Sequence, residues 1–190
     1  MRKVATALLL ASAVAATPAL AQDAANFSGP RVEGVIGWDR VQANGGHDDG
    51  LLYGIGAGYD FQNGNMVYGL ETELTDSDTK SCVGATTAAD PRLCAKTGRD
   101  LYVGGRVGAV VGGSTLLYAK AGYTNARFKG SIDDGTVFIS DGNNLDGVRV
   151  GAGAEYAIGT NSYLKAEYRY SNYEQGLERH QALAGFGFRF

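Results

Sequence analysis

Charged side chains recur at alternate positions inside stretches that are otherwise glycine-rich and apolar. The cations are Arg31, Arg106, Lys120, Arg149, Lys165, Arg169 and Arg189; the carboxylates are Glu33, Glu71, Glu73, Glu155 and Glu167. Spacing of two residues places them on one face of β-strands. A face of this kind either conducts ions or neutralises itself by internal pairing. Because the two signs are interleaved along the strands, pairing is favoured over a one-sign path. Glu33, Glu71, Glu73, Arg106, Lys120, Arg149, Glu155, Lys165, Glu167 and Arg169 are therefore the expected interior ion network. Arg106 is expected beside Glu71 or Glu73, since consecutive strands carry them.

Other residue types capable of chemistry give weaker patterns. Cys82 and Cys94 are the two cysteines, and their spacing fits neither a zinc pair nor a CxxC redox motif. In an exported chain a disulfide that staples a loop is the expectation. His47 and His180 are the two histidines, and Ser171, Glu174 and Glu178 lie close to His180 in sequence. Those types can build a hydrolase, but no motif fixes their geometry, so solvated loop histidines are expected and no catalytic residue is assigned. The acidic clusters His47-Asp48-Asp49 and 141–146 raise calcium. Leu145 stands where an oxygen ligand belongs, and ordinary turn chemistry accounts for both clusters. No metal or cofactor is expected. A formal net charge of -3 without a basic stripe argues against nucleic acid as a partner.

The elements that must position the charges follow from the same alternation. Arg2 and Lys3, an apolar run over 4–16 and Ala19-Leu20-Ala21 form a cleavable signal peptide over 1–21. The remainder, 22–190, reads as one domain. It holds no further run of ~20 apolar residues, so a membrane location requires a barrel. Composition agrees, with 29 glycines, 11 tyrosines and 7 phenylalanines against 3 prolines, which suits curved strands. Strands are predicted over 31–41, 51–61, 66–74, 99–111, 115–125, 147–158, 162–170 and 182–190. Short turns are expected at 63–64, 112–114 and 159–161, long loops at 42–50, 75–98, 126–146 and 172–179. An even strand count with alternating long and short connections is the pattern of outer-membrane barrels.

One face of all eight strands lacks charge over its centre, whereas glycines share the charged face. An eight-stranded barrel has an interior just wide enough for its own side chains, so small residues belong on that crowded side. A charge at the lipid midplane costs ~2–4 kcal/mol. The apolar face is therefore placed against lipid and the charged face in the lumen, which favours a membrane barrel over a secreted ligand carrier. The predicted fold is all-β: an eight-stranded antiparallel transmembrane up-and-down β-barrel.

With its cleavable leader, alternating strands and terminal Gly185-Phe186-Gly187-Phe188-Arg189-Phe190, the chain resembles the outer-membrane β-barrel domain family, including opacity-type proteins and the OmpA membrane domain. The resemblance implies that Phe186, Phe188 and Phe190 form the signal read by the barrel-assembly machinery. Because the chain stops at Phe190, no cell-wall-binding domain is expected. The implied role is structural, in the cell outer membrane, with a plugged interior, lipid as partner and loops displayed outside toward an unknown surface ligand. Alternatives are a narrow porin for small solutes, an adhesin and, further off, a lipid acyl enzyme.

Overall fold

The alternation folds into continuous antiparallel ladders. The computed structural model describes residues 25–43, 46–85, 92–133 and 138–190; the expected leader at 1–21 lies outside them. The strands are β1 (Gly29–Ala43), β2 (Gly46–Asn63), β3 (Met66–Ser77), β4 (Lys80–Val83), β5 (Arg92–Val111), β6 (Thr115–Asp133), β7 (Phe138–Ile158), β8 (Ser162–Tyr173) and β9 (Leu177–Arg189). A 3-10 turn, Glu174–Gly176, joins the last two.

Neighbouring strands pair in the order β3–β2–β1–β9–β8–β7–β6–β5, and β3 pairs with β5 to shut the ring. Short β4 pairs with β5 and continues the line of β3 after a break at 78–79, so the barrel has eight staves. Its first and last strands meet from Arg31↔Arg189 to Gln42↔Glu178. Closure leaves no open edge, the condition for a sheet in hydrocarbon. At one end the hairpins are tight. They turn at Gly64, Gly112, Gly113 and Gly159, all with positive φ, a region that glycine enters without penalty.

The predicted long loops at the other end differ from expectation. β1 and β2 stay in register to Ala43↔Gly46, and β6 and β7 to Asp133↔Phe138. Much of 42–50, 75–98 and 126–146 is thus strand. Beyond the lipid edge both faces meet water, so the sequence loses its two-residue hydrophobic period while the backbone still satisfies itself by pairing.

The outer wall is apolar all round. Leu70 is 73% exposed and Ile55 63%, and Val32, Ile36, Val103, Val107, Leu117, Val148, Val150 and Leu164 share this face. Thr72 turns its hydroxyl back onto the Tyr102 carbonyl at 3.0 Å, leaving its methyl group for lipid. An apolar surface of this extent is stable only in a bilayer. On β2 the band covers 51–61, matching the ~9–11 residues a tilted strand needs to cross hydrocarbon.

The short polar lead before β1 also does something its composition hides. Phe27 is fully buried and packs with Val67, Leu116 and Tyr118. Its N–H donates to Gln62 Oε1 at 2.8 Å, while Ala25 N–H donates to the Gly113 carbonyl at 2.7 Å. This segment corks the tight-turn end of the barrel.

Candidate functional site: the ion-paired lumen

Among the described residues, inward positions carry eight buried cations, Arg31, Arg106, Lys120, Arg149, Lys165, Arg169, Arg179 and Arg189, and eight buried carboxylates, Glu33, Asp39, Asp60, Glu71, Glu73, Asp100, Glu155 and Glu167. A buried charge is tolerated when paired and hydrogen-bonded, and these groups form three linked layers.

Nearest the tight turns, Arg106 grips Asp60 with two bonds, Nε to Oδ1 at 2.9 Å and Nη2 to Oδ2 at 2.6 Å. Its third nitrogen donates to Glu155. Arg189 Nη2 reaches the same two carboxylates at 2.9 and 3.0 Å, and its guanidinium lies 5.0 Å from the Phe27 ring centre. Arg31 links this layer to the next through Asp60, Glu33 and Glu71.

In the middle layer the Lys120 ammonium contacts Glu73, Glu71 and Glu167 at 2.7, 2.8 and 3.0 Å. Lys165 contacts Glu33 at 2.6 Å and Glu167 at 3.1 Å. The hydroxyls of Tyr118 and Tyr163 donate to Glu167 and Glu33 at 2.6 and 2.7 Å. Arg169 joins Glu73 at 2.5 Å to Gln181 at 2.6 Å.

Toward the long hairpins, Arg179 clasps Asp39 and also donates to Asp100 at 2.9 Å. Asp100 further accepts from Arg149, from Thr124 at 2.6 Å and from Tyr173 at 2.8 Å.

Glycines on the charged face make these pairings possible. Asp60, Gly69 and Arg106 lie side by side across β2, β3 and β5; a Cβ on Gly69 would stand 2.1 Å from Asp60 Oδ1. Gly58 separates Arg31 from Glu71, Gly153 separates Tyr118 from Glu167, and Gly187 separates Tyr163 from Glu33. In each case a long side chain lies across the glycine to reach its partner two strands away.

That rule corrects the expected partner of Arg106. Glu71 and Glu73 stand opposite Gly104 and Tyr102, whereas Arg106 stands opposite Gly69. The long guanidinium therefore passes over Gly69 to Asp60, and the two glutamates take Arg31, Lys120 and Arg169 instead. All ten residues assigned to the interior network from sequence do lie in the lumen. Missing from those ten were Arg31 and Arg189, both already on the charged face, together with Asp39, Asp60, Asp100, Arg179 and the tyrosines Tyr118, Tyr163 and Tyr173. Asp39 and Asp60 already fell on the charged face by parity. Arg179 lay in a stretch read as loop.

The remaining sequence candidates are scattered. Ser171 points inward and accepts from Arg149 Nε at 2.8 Å, whereas His180 sits on the outer wall with Nδ1 2.7 Å from the Tyr168 hydroxyl. The wall thus separates them, and Glu174 lies in the 3-10 turn. The His47 side chain is outside the described residues. Asp49 pairs with Arg40 at 2.8 Å. Asp146, just beyond the apolar band, accepts from Tyr123 and Asn125, each at 2.5 Å; the tyrosine hydroxyl above all holds its carboxyl below the usual range. Cys82 and Cys94 are bonded and face each other across β4 and β5, stapling a ribbon rather than an irregular loop. Phe186, Phe188 and Phe190 all face outward.

A closed eight-stave ring with a lipid-facing apolar wall and an ion-paired interior defines a transmembrane β-barrel. A family profile described as outer membrane protein beta-barrel domain matches residues 6–190, and the chain belongs to that family. It is 30% identical over 159 residues to the 22 kDa outer membrane protein of Rhizobium leguminosarum bv. viciae, covering 75% of this chain and 69% of that one. To the 31 kDa outer-membrane immunogenic protein of Brucella melitensis biotype 1 it is 31% identical over 146 residues, 70% of this chain and 60% of the relative. Among solved structures, Ail of Yersinia pestis superposes with TM-score 0.59 at 18% identity, covering 86% of this chain and 99% of Ail. Ail has also been solved with the heparin analogue sucrose octasulfate. Neisserial surface protein A gives TM-score 0.58 at 18% identity, over 86% and 98%.

Proposed function

We propose that this protein is a structural outer-membrane barrel with a closed lumen, exported by a cleavable leader over 1–21, which holds its long hairpins on the cell exterior. The observation that carries this reading is the matched set of buried charges. Among the described residues, buried cations and carboxylates are equal in number, each layer is cross-linked to the next, and Phe27 corks one mouth. A solute path needs mobile water along its length, and a one-sign path needs unpaired charge. Neither fits side chains locked in this network. No acyl-transfer chemistry is assigned, because Ser171 and His180 lie on opposite faces of the wall.

Planar-bilayer recording tests the closed lumen. Purified, folded protein is expected to give no steady single-channel steps. Reproducible steps of uniform size at neutral pH overturn the reading in favour of a narrow porin.

A second reading, surface recognition by the exterior hairpins, is favoured by one observation. Arg92, Lys96, Arg99 and Arg127 are exposed there, and among the described residues none of them has an ion-pair partner.

A further inference from the structure

The ribbon formed by β4, the start of β5 and the end of β6 concentrates positive charge in an unusual way. Lys80 is directly opposite Lys96, and Lys96 directly opposite Lys129. Three lysines thus share one row of the ladder register, with neighbouring strands ~4.8 Å apart. Like charges opposite one another destabilise a ladder. The row is nevertheless held in place, because the Cys82–Cys94 bond joins the same two strands two residues further out.

A backbone irregularity adds to the row. The pairing of β5 with β6 shifts register between Thr97 and Asp100. Without that bulge, strict alternation would place Lys96 and Arg99 on opposite faces. With it, Thr97 and Asp100 are both buried, at 4% and 0% exposure, and Lys96 and Arg99 are both exposed. Bulges commonly re-aim side chains in this way. Exposed Arg127 lies on the neighbouring strand beside the bulge, and exposed Arg92 lies further out on β5. Nearby carboxylates mark the limits of the patch: exposed Asp78 flanks it on the β3 side, Asp133 stands opposite Arg92 at the tip, and Asp146 is engaged by Tyr123 and Asn125.

From this placement we infer that the β4–β5–β6 ribbon is a binding surface for a soluble linear polyanion, a sulfated or phosphorylated polysaccharide outside the cell. This deepens the surface-recognition reading and rests on it. Height decides between a soluble ligand and the headgroups of the surrounding leaflet. Leu101 is the last outward apolar residue of β5 before the bulge. Lys96 stands five positions beyond it, which for a strand tilted by ~40° is roughly 13 Å above the hydrocarbon edge. The headgroup zone extends only about 5–8 Å on each side. Arg99 and Arg127 lie at headgroup height, whereas the lysine row rises above it. A ribbon three strands wide is too narrow to bury the ~1,000 Å² that a specific protein partner requires, so regular charge is what it offers.

The test measures binding of dextran sulfate, with uncharged dextran of equal size as control, to the purified full-length barrel in lipid nanodiscs. The wild type is expected to bind dextran sulfate and not dextran, and to bind less tightly as ionic strength rises. Replacing Lys80, Lys96 and Lys129 by Ala together should weaken binding ~10-fold, about three exposed charge contacts. Arg40→Ala, on the far side of the barrel, should leave it unchanged. Heat-modifiable migration verifies that each variant is folded. Unaltered binding in the triple variant overturns the inference. So does a triple variant whose loss appears solely with vesicles of anionic lipid, since that result assigns the charges to headgroups. Purified protein makes the measurement independent of orientation. Capture of intact cells on dextran sulfate beads tests the outward display separately.

Discussion

Gly69 shows how a single hydrogen in place of a methyl group organises the lumen. Its neighbours Asp60 and Arg106 form their two-bond contact across the space a Cβ would fill. Gly69→Ala is expected to push the carboxylate aside and lower stability by about 1–3 kcal/mol, the range for a buried polar group deprived of its partner. Gly34 is the control. Its outward Cβ would meet nothing within 4 Å, so Gly34→Ala should be neutral or slightly stabilising. The temperature at which the folded band converts to the unfolded one in heat-modifiability gels reads both. Arg106→Met is the harsher change. It leaves Glu155 and Asp60 facing Arg189 and Arg31 alone, at a cost of about 3 kcal/mol, and the same gels should show a clearly lower transition. An unchanged transition in Arg106→Met refutes the assigned pairing.

Among the elements, the ribbons beyond the lipid band and the membrane-spanning staves are expected to melt separately. The Cys82–Cys94 bond links β4 to β5 where the ribbon has left the lipid band. In the chain-entropy account such a bond stabilises by ~3 kcal/mol. That free energy is local, because the staves below are held by their own ladders and ion pairs. Replacing both cysteines by Ser should speed amide exchange over 80–83 and 92–97 while moving the gel transition little. Slow exchange at those amides in the variant overturns this division. The two regions also differed in legibility. Where lipid lies on one side and side chains fill the other, parity alone located inward Glu33, Glu71 and Arg149 and outward Val32, Leu70 and Val148. Beyond the bilayer both sides are wet, and polar residues on both faces concealed the pairing of β6 with β7 out to Asp133↔Phe138. Ionic partners were harder still. Parity gives the face but not the height. Arg106 meets Asp60 because of where Gly69 falls in the register, a fact fixed by the stagger of the closed ring. Phe27 was illegible for another reason: its burial depends on the barrel mouth existing to receive it.

For the molecule as a whole, closure and stability rest on different residues, and the last strand separates the two. Arg189 lies inside, bonded to Asp60 and Glu155, whereas Phe190 is 72% exposed on the lipid side. The Phe190 ring therefore adds almost no internal packing. Its backbone N–H donates to the Pro30 carbonyl at 2.9 Å, a bond that any residue except proline supplies. Phe190→Ala keeps that bond and every ion pair, so the finished barrel should melt within a degree or two of the wild type, as for a surface substitution away from buried features. Its rate of insertion is a separate matter. If the outward aromatics Phe186, Phe188 and Phe190 are what the assembly machinery reads, the variant should accumulate slowly in the membrane in a pulse-chase with intact machinery. Spontaneous insertion into pure lipid vesicles should proceed at nearly the normal rate. Arg189→Met should show the reverse, with normal recognition and a barrel that melts early because Glu155 and Asp60 lose a shared partner. Equal slowing of Phe190→Ala in both settings assigns its ring to folding rather than to recognition, and refutes the division of labour proposed for the strand.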